Sequence, residues 1–280
     1  MSDAREITKH YTSGDLLARL EARLREDGFD PAHVTAEALA PYDHFHGRGL
    51  EATEDMAGLL QVAETDHILD VGSGLGGPAR YMATRFGCRV SGVDLTAEFC
   101  DVARHLTALL GLEERVSIWQ GDALAMAFAD AAFDGAYSMN VSMNIADKRA
   151  LYREIHRVLK PGAWLMLSEA AQGPGGEPDF PTPWARTASS SFLATEAETR
   201  TNLEACGFTI ESLRDTTEAA LAYGARSRAL VEAGEKPSHR AVSLIHGALA
   251  EDAAANSARA LKERRAVPIE LLCRKVQNRA

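Results

Sequence analysis

His67-Ile68-Leu69-Asp70-Val71-Gly72-Ser73-Gly74-Leu75-Gly76-Gly77-Pro78 decides how the rest of the chain is read. An apolar run carrying an aspartate passes through closely spaced glycines to a proline suited to a first helical turn, which predicts strand, tight loop and helix. Glycines accept positive φ and let a backbone approach a ligand with no Cβ in the way. The helix starting near Pro78 aims unpaired N–H groups and the positive end of its dipole at whatever lies over the loop. Spacing alone fits two templates, besides a purely structural turn. Gly72, Gly74 and Gly77 match the G-x-G-x-x-G pattern of dinucleotide sites, and Asp70, Gly72, Gly74 and Gly76 form an acid followed by alternating glycines.

Asp70 separates the two. A carboxylate beside the loop repels a pyrophosphate, since like charges a few Å apart in a poorly solvated cleft oppose each other by roughly a kcal/mol or more. The same carboxylate suits a ligand that carries an ammonium and a sulfonium. Further along, Arg89–Val93 reads as a second strand ending at Asp94, an acid about twenty residues past the loop and placed to accept from both ribose hydroxyls. Val116–Gln120 is a third strand, and the Asp122 that follows it can accept the exocyclic N–H of an adenine. Asp70, Asp94 and Asp122 all fall at strand ends, where open α/β sheets bind ligands. As a cap or turn residue, Asp94 would have a purely local role.

Phe133–Met139 and Ala163–Leu167 read as the fourth and fifth strands, separated by a helix from Lys148 to Leu159 that Lys160-Pro161-Gly162 closes. Helices are expected over Ala79–Phe86, stopped at Gly87, and from Thr96 to Gly111. Five β/α alternations predict a parallel sheet with helices on both faces. Ahead of this core, Ser13 is expected to cap a helix through Leu16, Leu20 and Leu24 that stops at Gly28. Short helices are expected over Pro31–Leu39 and Glu54–Ala63. Between them, Pro41-Tyr42-Asp43-His44-Phe45-His46-Gly47-Arg48-Gly49 is rich in groups that exchange protons and can fold over the site as a lid. Its histidines read either as solvated imidazoles of a surface loop or as a general base, for which an unperturbed pKa near ~6.5 is suited.

Past the fifth strand, Gly173–Pro178 and Pro181-Thr182-Pro183-Trp184 form a loop too long for a simple turn, read as a substrate loop with Trp184 as an apolar or cation–π wall. A helix over Thr195–Ala205 precedes a sixth strand, Phe208–Leu213. An alanine-rich helical stretch from Glu218 to Arg259 can cap an acceptor pocket, make a homodimer contact or add a packing layer. Val267–Cys273 is the last strand.

The 280 residues, 46% hydrophobic and 25% charged, are enough for one large α/β domain or two small ones. A net charge of −10 argues against a protein that tracks nucleic-acid phosphates. The four cysteines are far apart and show no metal-ligand spacing, so no metal is expected and they read as reduced core thiols. Met1–Glu6 lacks the apolar core of a leader, and no run is long enough to span a bilayer. A soluble, cytoplasmic protein without a membrane partner is the expectation.

Together, Leu69–Gly77, Asp94, Gly121-Asp122-Ala123, Phe133-Asp134 and Arg157-Val158-Leu159-Lys160-Pro161-Gly162 make the chain resemble class I S-adenosylmethionine (SAM) methyltransferases from about Glu54 to Glu169. Asp43-x-Phe45-His46, Gly49-Leu50-Glu51-Ala52-Thr53, Val141–Ile145 and Pro183-Trp184-Ala185 narrow the likeness to small-molecule enzymes of the sarcosine/dimethylglycine N-methyltransferase type. The resemblance implies a Rossmann-like, doubly wound, seven-stranded sheet with an antiparallel last strand, a helical lid over 1–55, a SAM-binding core over 56–170, and a substrate loop, helical insertion and last strands over 171–280. SAM would be held by Asp70, Gly72, Gly74, Asp94, Leu95, Asp122, Ala123 and the backbone of Met139, leaving S-adenosylhomocysteine as product. Tyr42, Asn140, Asn144 and Trp184 would meet the acceptor, and His46 would be its base. Where that group has Gln-His after the fourth strand, this chain has Met139-Asn140, which leaves the acceptor's identity open.

The implied activity is methyl transfer to a small molecule, with an amine nitrogen favoured by the likeness and a phenol, quinone or natural-product oxygen or carbon as the alternative. Two rivals stand beside it. An NAD(P)-dependent oxidoreductase rests only on the G-x-G-x-x-G overlap, and a SAM-binding protein without turnover has no damaged motif to support it.

Overall fold

The structure, a computed structural model, describes residues 8–276; Met1–Glu6 lie outside them. A seven-stranded sheet runs in the order β3-β2-β1-β4-β5-β7-β6. Its strands are β1 His67–Val71, β2 Arg89–Asp94, β3 Val116–Gln120, β4 Phe133–Met139, β5 Leu159–Gln172, β6 Phe208–Asp215 and β7 Ala266–Lys275. β7 runs antiparallel to both neighbours and the other pairings are parallel, as the resemblance implies. The order reverses between β1 and β2 on one side and β4 on the other, so the ligand crevice of such a sheet lies outside the carboxyl ends of β1, β2 and β4.

The helices are α1 Leu16–Glu26, α2 Ala36–Asp43, α3 Leu50–Gly58, α4 Gly77–Phe86, α5 Ala97–Leu109, α6 Lys148–Val158, α7 Glu196–Ala205, α8 Thr217–Glu232, α9 Ala241–His246 and α10 Ala250–Lys262. Burial of both sheet faces explains why β1 and β4 read as near-continuous apolar runs: only His67 and Asp134 of their residues are not fully buried. One core layer packs α6 and α7 against β4, β5 and β7 through Leu151, Ile155, Leu165, Leu203 and Leu271. The other packs α3, α4 and α5 against β1 and β2 through Met56, Met82, Ile68, Val90 and Cys100. A third cluster joins α1 and α2 to α5 and α9 through Leu20, Leu39, Phe99, Val102, Leu244 and Ile245, seating the N-terminal helices beside the strand ends.

Several element boundaries differ from the sequence reading, each for a local reason. Ser13 does not cap α1, because its N–H and hydroxyl are taken by Glu98; Asp15 precedes the helix instead. Thr35, whose hydroxyl accepts from Ala38 N–H, starts α2 five residues after the expected Pro31 start, with Pro41 inside it. Gly49, at φ 51, turns the chain directly into α3, ahead of the expected Glu54. Lys160-Pro161-Gly162 is no terminator: it bulges within β5, four residues from Lys160 to Ala163 facing Asp134 alone, with Gly162 at φ 76. Gly234 and Gly247, both at positive φ, divide the expected Glu218–Arg259 helix into α8, α9 and α10. The four cysteines are buried and unpaired. Among the described residues no helix is long and apolar enough to cross a membrane.

Gly135 marks where β4 and β5 are closest. A Cβ there would lie 2.0 Å from the Trp164 ring, whereas one on Gly58, at the end of α3, would meet nothing within 4 Å. Urea unfolding is expected to show Gly135→Ala losing at least about 1–3 kcal/mol through overpacking. Gly58→Ala should be neutral or gain up to about 1 kcal/mol by restricting the unfolded chain.

Candidate active site

A cavity of about 610 Å³ opens over the carboxyl ends of β1, β2 and β4. Its floor is the glycine loop. Gly72 N–H donates to Val93 O at 2.8 Å, and a Cβ on Gly72 would lie 2.2 Å from Val141 Cγ2, so this glycine lets β4's following loop close over β1. A Cβ on Gly77 would come within 2.5 Å of Asp43 O, which makes that glycine a packing requirement for α2 rather than a ligand contact. Gly74 differs: it sits at φ 51, lines the cavity, and has open space where its Cβ would be. That is the cradle a close backbone–ligand approach requires.

Asp70 lines the cavity at 2% exposure, and the buried hydroxyl of Tyr137, its register partner on β4, lies beside its carboxyl. Burial pushes its carboxyl up to about 7. Asp94 is held differently. Its Oδ2 accepts from Gly74 N–H at 2.9 Å and its Oδ1 from Thr96 N–H at 2.8 Å, which fixes the carboxylate against the loop. Burial still raises its pKa despite those two donors. Asp122 is exposed at the rim, where its Oδ1 accepts from Leu124 N–H at 2.9 Å. Leu95, Ala123 and Met139 also line the cavity.

The segment after β4 is strained and braced. Asn140 adopts φ 57, a conformation that costs most residues energy and that asparagine tolerates best after glycine. Its N–H donates to Ser168 O at 2.7 Å. Glu169, buried behind the segment, accepts from the N–H groups of Val141 at 3.2 Å and Ser142 at 3.1 Å. Burial raises the Glu169 carboxyl to about 7, against the pull of those donors and of Lys148. Lys148 in turn donates to the carbonyls of Ser142, Ile145 and Phe192.

Of the residues expected to meet the acceptor, Asn140, Asn144 and Trp184 line the cavity, as does His46. Asn144 has both amide ends engaged, its Nδ2 donating to Trp184 O at 2.6 Å and its Oδ1 accepting from Tyr11 at 3.0 Å. It therefore ties the N-terminal segment to the substrate loop. Tyr42 does not reach the cavity. Its hydroxyl donates to Asp27 Oδ2 at 2.7 Å and Arg240 lies 4.5 Å from its ring centroid, so it pins α2 to α1 and to the chain before α9. α2 runs on through Pro41 to Asp43, past the expected end at Leu39, which puts Tyr42 in its last turn rather than in the loop.

His46 is buried, with Nε2 3.0 Å from Thr53 Oγ1 and Nδ1 3.3 Å from Gly47 O. Burial, aided by His44, lowers its pKa to about 3, so the ring is neutral at physiological pH. The sequence reading missed Tyr11, Phe45, Phe99 and Leu261 as lining residues. They come from four separate parts of the chain, and only the Asp43-x-Phe45-His46 pattern offered a signal for one of them.

A methyltransferase-domain family model matches residues 69–167. Over those residues the chain is similar to that methyltransferase domain. The fold of the whole chain agrees: geranyl diphosphate C-methyltransferase from Streptomyces coelicolor A3(2) superposes with a TM-score of 0.72 over 99% of both chains at 18% identity. Among curated relatives, the chain is similar to methyltransferase phqN of Penicillium fellutanum, 30% identical over 191 residues, 66% of this chain and 56% of the relative. It is also similar to phosphoethanolamine N-methyltransferase 3 of Arabidopsis thaliana, 34% identical over 158 residues, 54% of this chain and 32% of the relative. The chain thus spans about half, or less, of the length of these two relatives. The glycine loop, Asp70, Asp94 and Asp122 all lie within the matched residues.

Tyr42→Phe is expected to cost roughly 1.5–3 kcal/mol of stability, the value of a buried hydrogen bond to a charged acceptor. Calorimetric affinity for S-adenosylhomocysteine should stay within twofold of wild type, since Tyr42 lies outside the cavity.

Proposed function

We propose that the protein transfers the methyl group of SAM to a small-molecule acceptor with an apolar body. One observation carries this: a buried carboxyl group, that of Asp70, lies beside an open glycine cradle in the lining of a cavity whose remaining walls are largely apolar. Bound SAM supplies a methyl on a positively charged sulfur that is already a good leaving group. The residues fit such a ligand. Asp70 offers charge to its ammonium and sulfonium end, Asp94 and the neighbouring Leu95 backbone receive the ribose, and Asp122 with Ala123 borders the adenine. Gly72, Gly74 and the Met139 backbone border the methionine portion.

The protein's work is then orientation and exclusion of water, which can supply about 7–11 kcal/mol in effective-molarity terms. Asn140 and Trp184 border the acceptor, and His46 takes its proton. An amine nitrogen remains the acceptor atom that the family likeness favours, and the phosphoethanolamine N-methyltransferase relative is in line with it. The second reading, an oxygen or carbon of a natural product, is favoured by the cavity's apolar side, where Phe45, Trp184, Ala258 and Leu261 offer no charge to bind a compact polar amine. Turnover of methyl-labelled SAM across a panel of amines, phenols and apolar natural products tests both. Labelled product from any acceptor supports the reading, and SAM binding without labelled product from the whole panel contradicts it.

Asp70 makes SAM binding pH-dependent. Its folded pKa, about 7, lies above the ordinary 3.8, so ionisation between those values costs the unliganded protein stability, and a cation that favours the carboxylate must displace its proton. Calorimetry should therefore show SAM affinity rising with pH between 5.5 and about 7, by at most about tenfold per unit, and then levelling. Asp70→Asn should weaken binding and flatten the profile. A flat wild-type profile would remove Asp70 from the cofactor set.

A further inference from the structure

Behind the cavity wall, polar groups from the end of α2 to α3 form one continuous chain. Gly47 O lies 3.3 Å from His46 Nδ1, His46 Nε2 lies 3.0 Å from Thr53 Oγ1, and Thr53 Oγ1 lies 2.9 Å from His44 Nδ1. His44 Nε2 faces Asp43 Oδ1 at 3.6 Å, and that oxygen has no hydrogen-bond partner. The other carboxylate oxygen of Asp43 accepts from Arg80 at 2.8 Å. Thr53 is fully buried and both histidines nearly so, while His46 and Gly47 line the cavity.

Counting protons along this chain shows that it is one short. Both of its ends, a carbonyl and a carboxylate, are acceptors only. Two neutral imidazoles carry one N–H each and Thr53 carries one O–H, three protons for four links. If His46 donates to Gly47 O, Thr53 must donate to His46, His44 must donate to Thr53, and the bare Nε2 of His44 then faces Asp43. If His44 instead donates toward Asp43, Thr53 donates to His44 and His46 donates to Thr53, leaving Nδ1 of His46 bare. Even with its other oxygen paired to Arg80, the Asp43 carboxylate attracts an N–H more strongly than a carbonyl does, so the second arrangement is the ground state. One added proton satisfies every link.

We propose that His46, Thr53, His44 and Asp43 form a buried proton-accepting array in which Asp43, His44 and Thr53 are positioning residues that keep Nδ1 of His46, a residue of the cavity lining, unprotonated. The inference rests on the proposed methyl transfer and goes beyond it by naming where the acceptor's proton goes. That proton forms a bond to Nδ1 of His46. The Nε2–H bond of His46 then breaks as its proton moves to Thr53 Oγ1, and the Thr53 proton moves to His44 Nδ1. The positive charge ends on His44, facing Asp43, with atoms and charge conserved. Burial lowers the basicity of both histidines, and of the two only His44 has a carboxylate, Asp43, pulling its basicity back up, which makes it the better place for the charge. Arg48 and His239, which act electrostatically on His46, and Arg80 beside His44 disfavour a resident charge, so the array is neutral at rest.

Long-range 1H–15N correlation spectra of the full-length protein labelled with 15N-histidine read the tautomers directly, without an acceptor in hand. With S-adenosylhomocysteine added, wild type is expected to show His44 and His46 both protonated on Nε2. Thr53→Val removes the acceptor for His46 Nε2 and should transfer that ring's proton to Nδ1, facing Gly47 O, whereas Thr53→Ser should retain the wild-type pattern. A wild-type His46 protonated on Nδ1, or a Thr53→Val spectrum unchanged at His46, would overturn the array. The wild-type spectrum decides the matter even if the valine variant fails to fold. Labelled-methyl turnover in a protein with Nδ1-protonated His46 would leave the methyl-transfer reading standing and remove only this one.

Discussion

Two carboxyl groups at adjacent strand tips, Asp70 buried and Asp94 half-buried, set the terms for this molecule. Burying an ionisable acid without a partner is costly, and proteins usually pair it or keep it neutral. Asp94 is held by two backbone donors, whereas Asp70 has only the Tyr137 hydroxyl beside it and, among the described residues, no salt bridge. The fold thus carries a negative site that a cationic ligand completes. The glycine loop is shaped for the same purpose: Gly72 lets Val141 pack down and Gly74 leaves the floor open.

Around those acids, much of the remaining architecture closes the cavity. Asn144 bridges Tyr11 and the Trp184 carbonyl. Nearby, His10 and His246 both reach Pro183 O, at 3.3 and 2.9 Å, with their rings 4.7 Å apart. Burial lowers both pKa values, so the stacked rings are neutral and do not repel each other at physiological pH. Behind the opposite wall, Glu169 braces the strained turn at Asn140 from below. Residues distant in sequence therefore fix the shape of the acceptor side, while the donor side is built from consecutive strand ends.

That division explains what the sequence could and could not disclose. β4 lies where its apolar run put it, because a buried parallel strand leaves a continuous apolar signature, and β3, at the sheet edge, shows the alternation of a half-buried strand. The loop and its acids were legible because the chemistry needs small residues and carboxylates at fixed offsets from those strands. Tyr42 was misread because α2 continues through Pro41 to Asp43 instead of ending at Leu39, and its last turn carries the ring to Asp27 and Arg240. Tyr11, Phe99 and Leu261 left no local trace as cavity residues, since only the packing of α5 and α10 with the N-terminal segment brings them together. The two histidines of the His44-Phe45-His46 segment were visible as chemistry, but their link through Thr53, seven and nine residues away, was not.

The most direct measurement is a parallel titration of the purified protein with SAM and with NADH at neutral pH and moderate salt. An anionic floor predicts saturable binding of SAM and none of NADH at the same concentrations. Saturable NADH binding, or no binding of SAM, would contradict the claim that buried carboxylates select a cationic adenosyl donor.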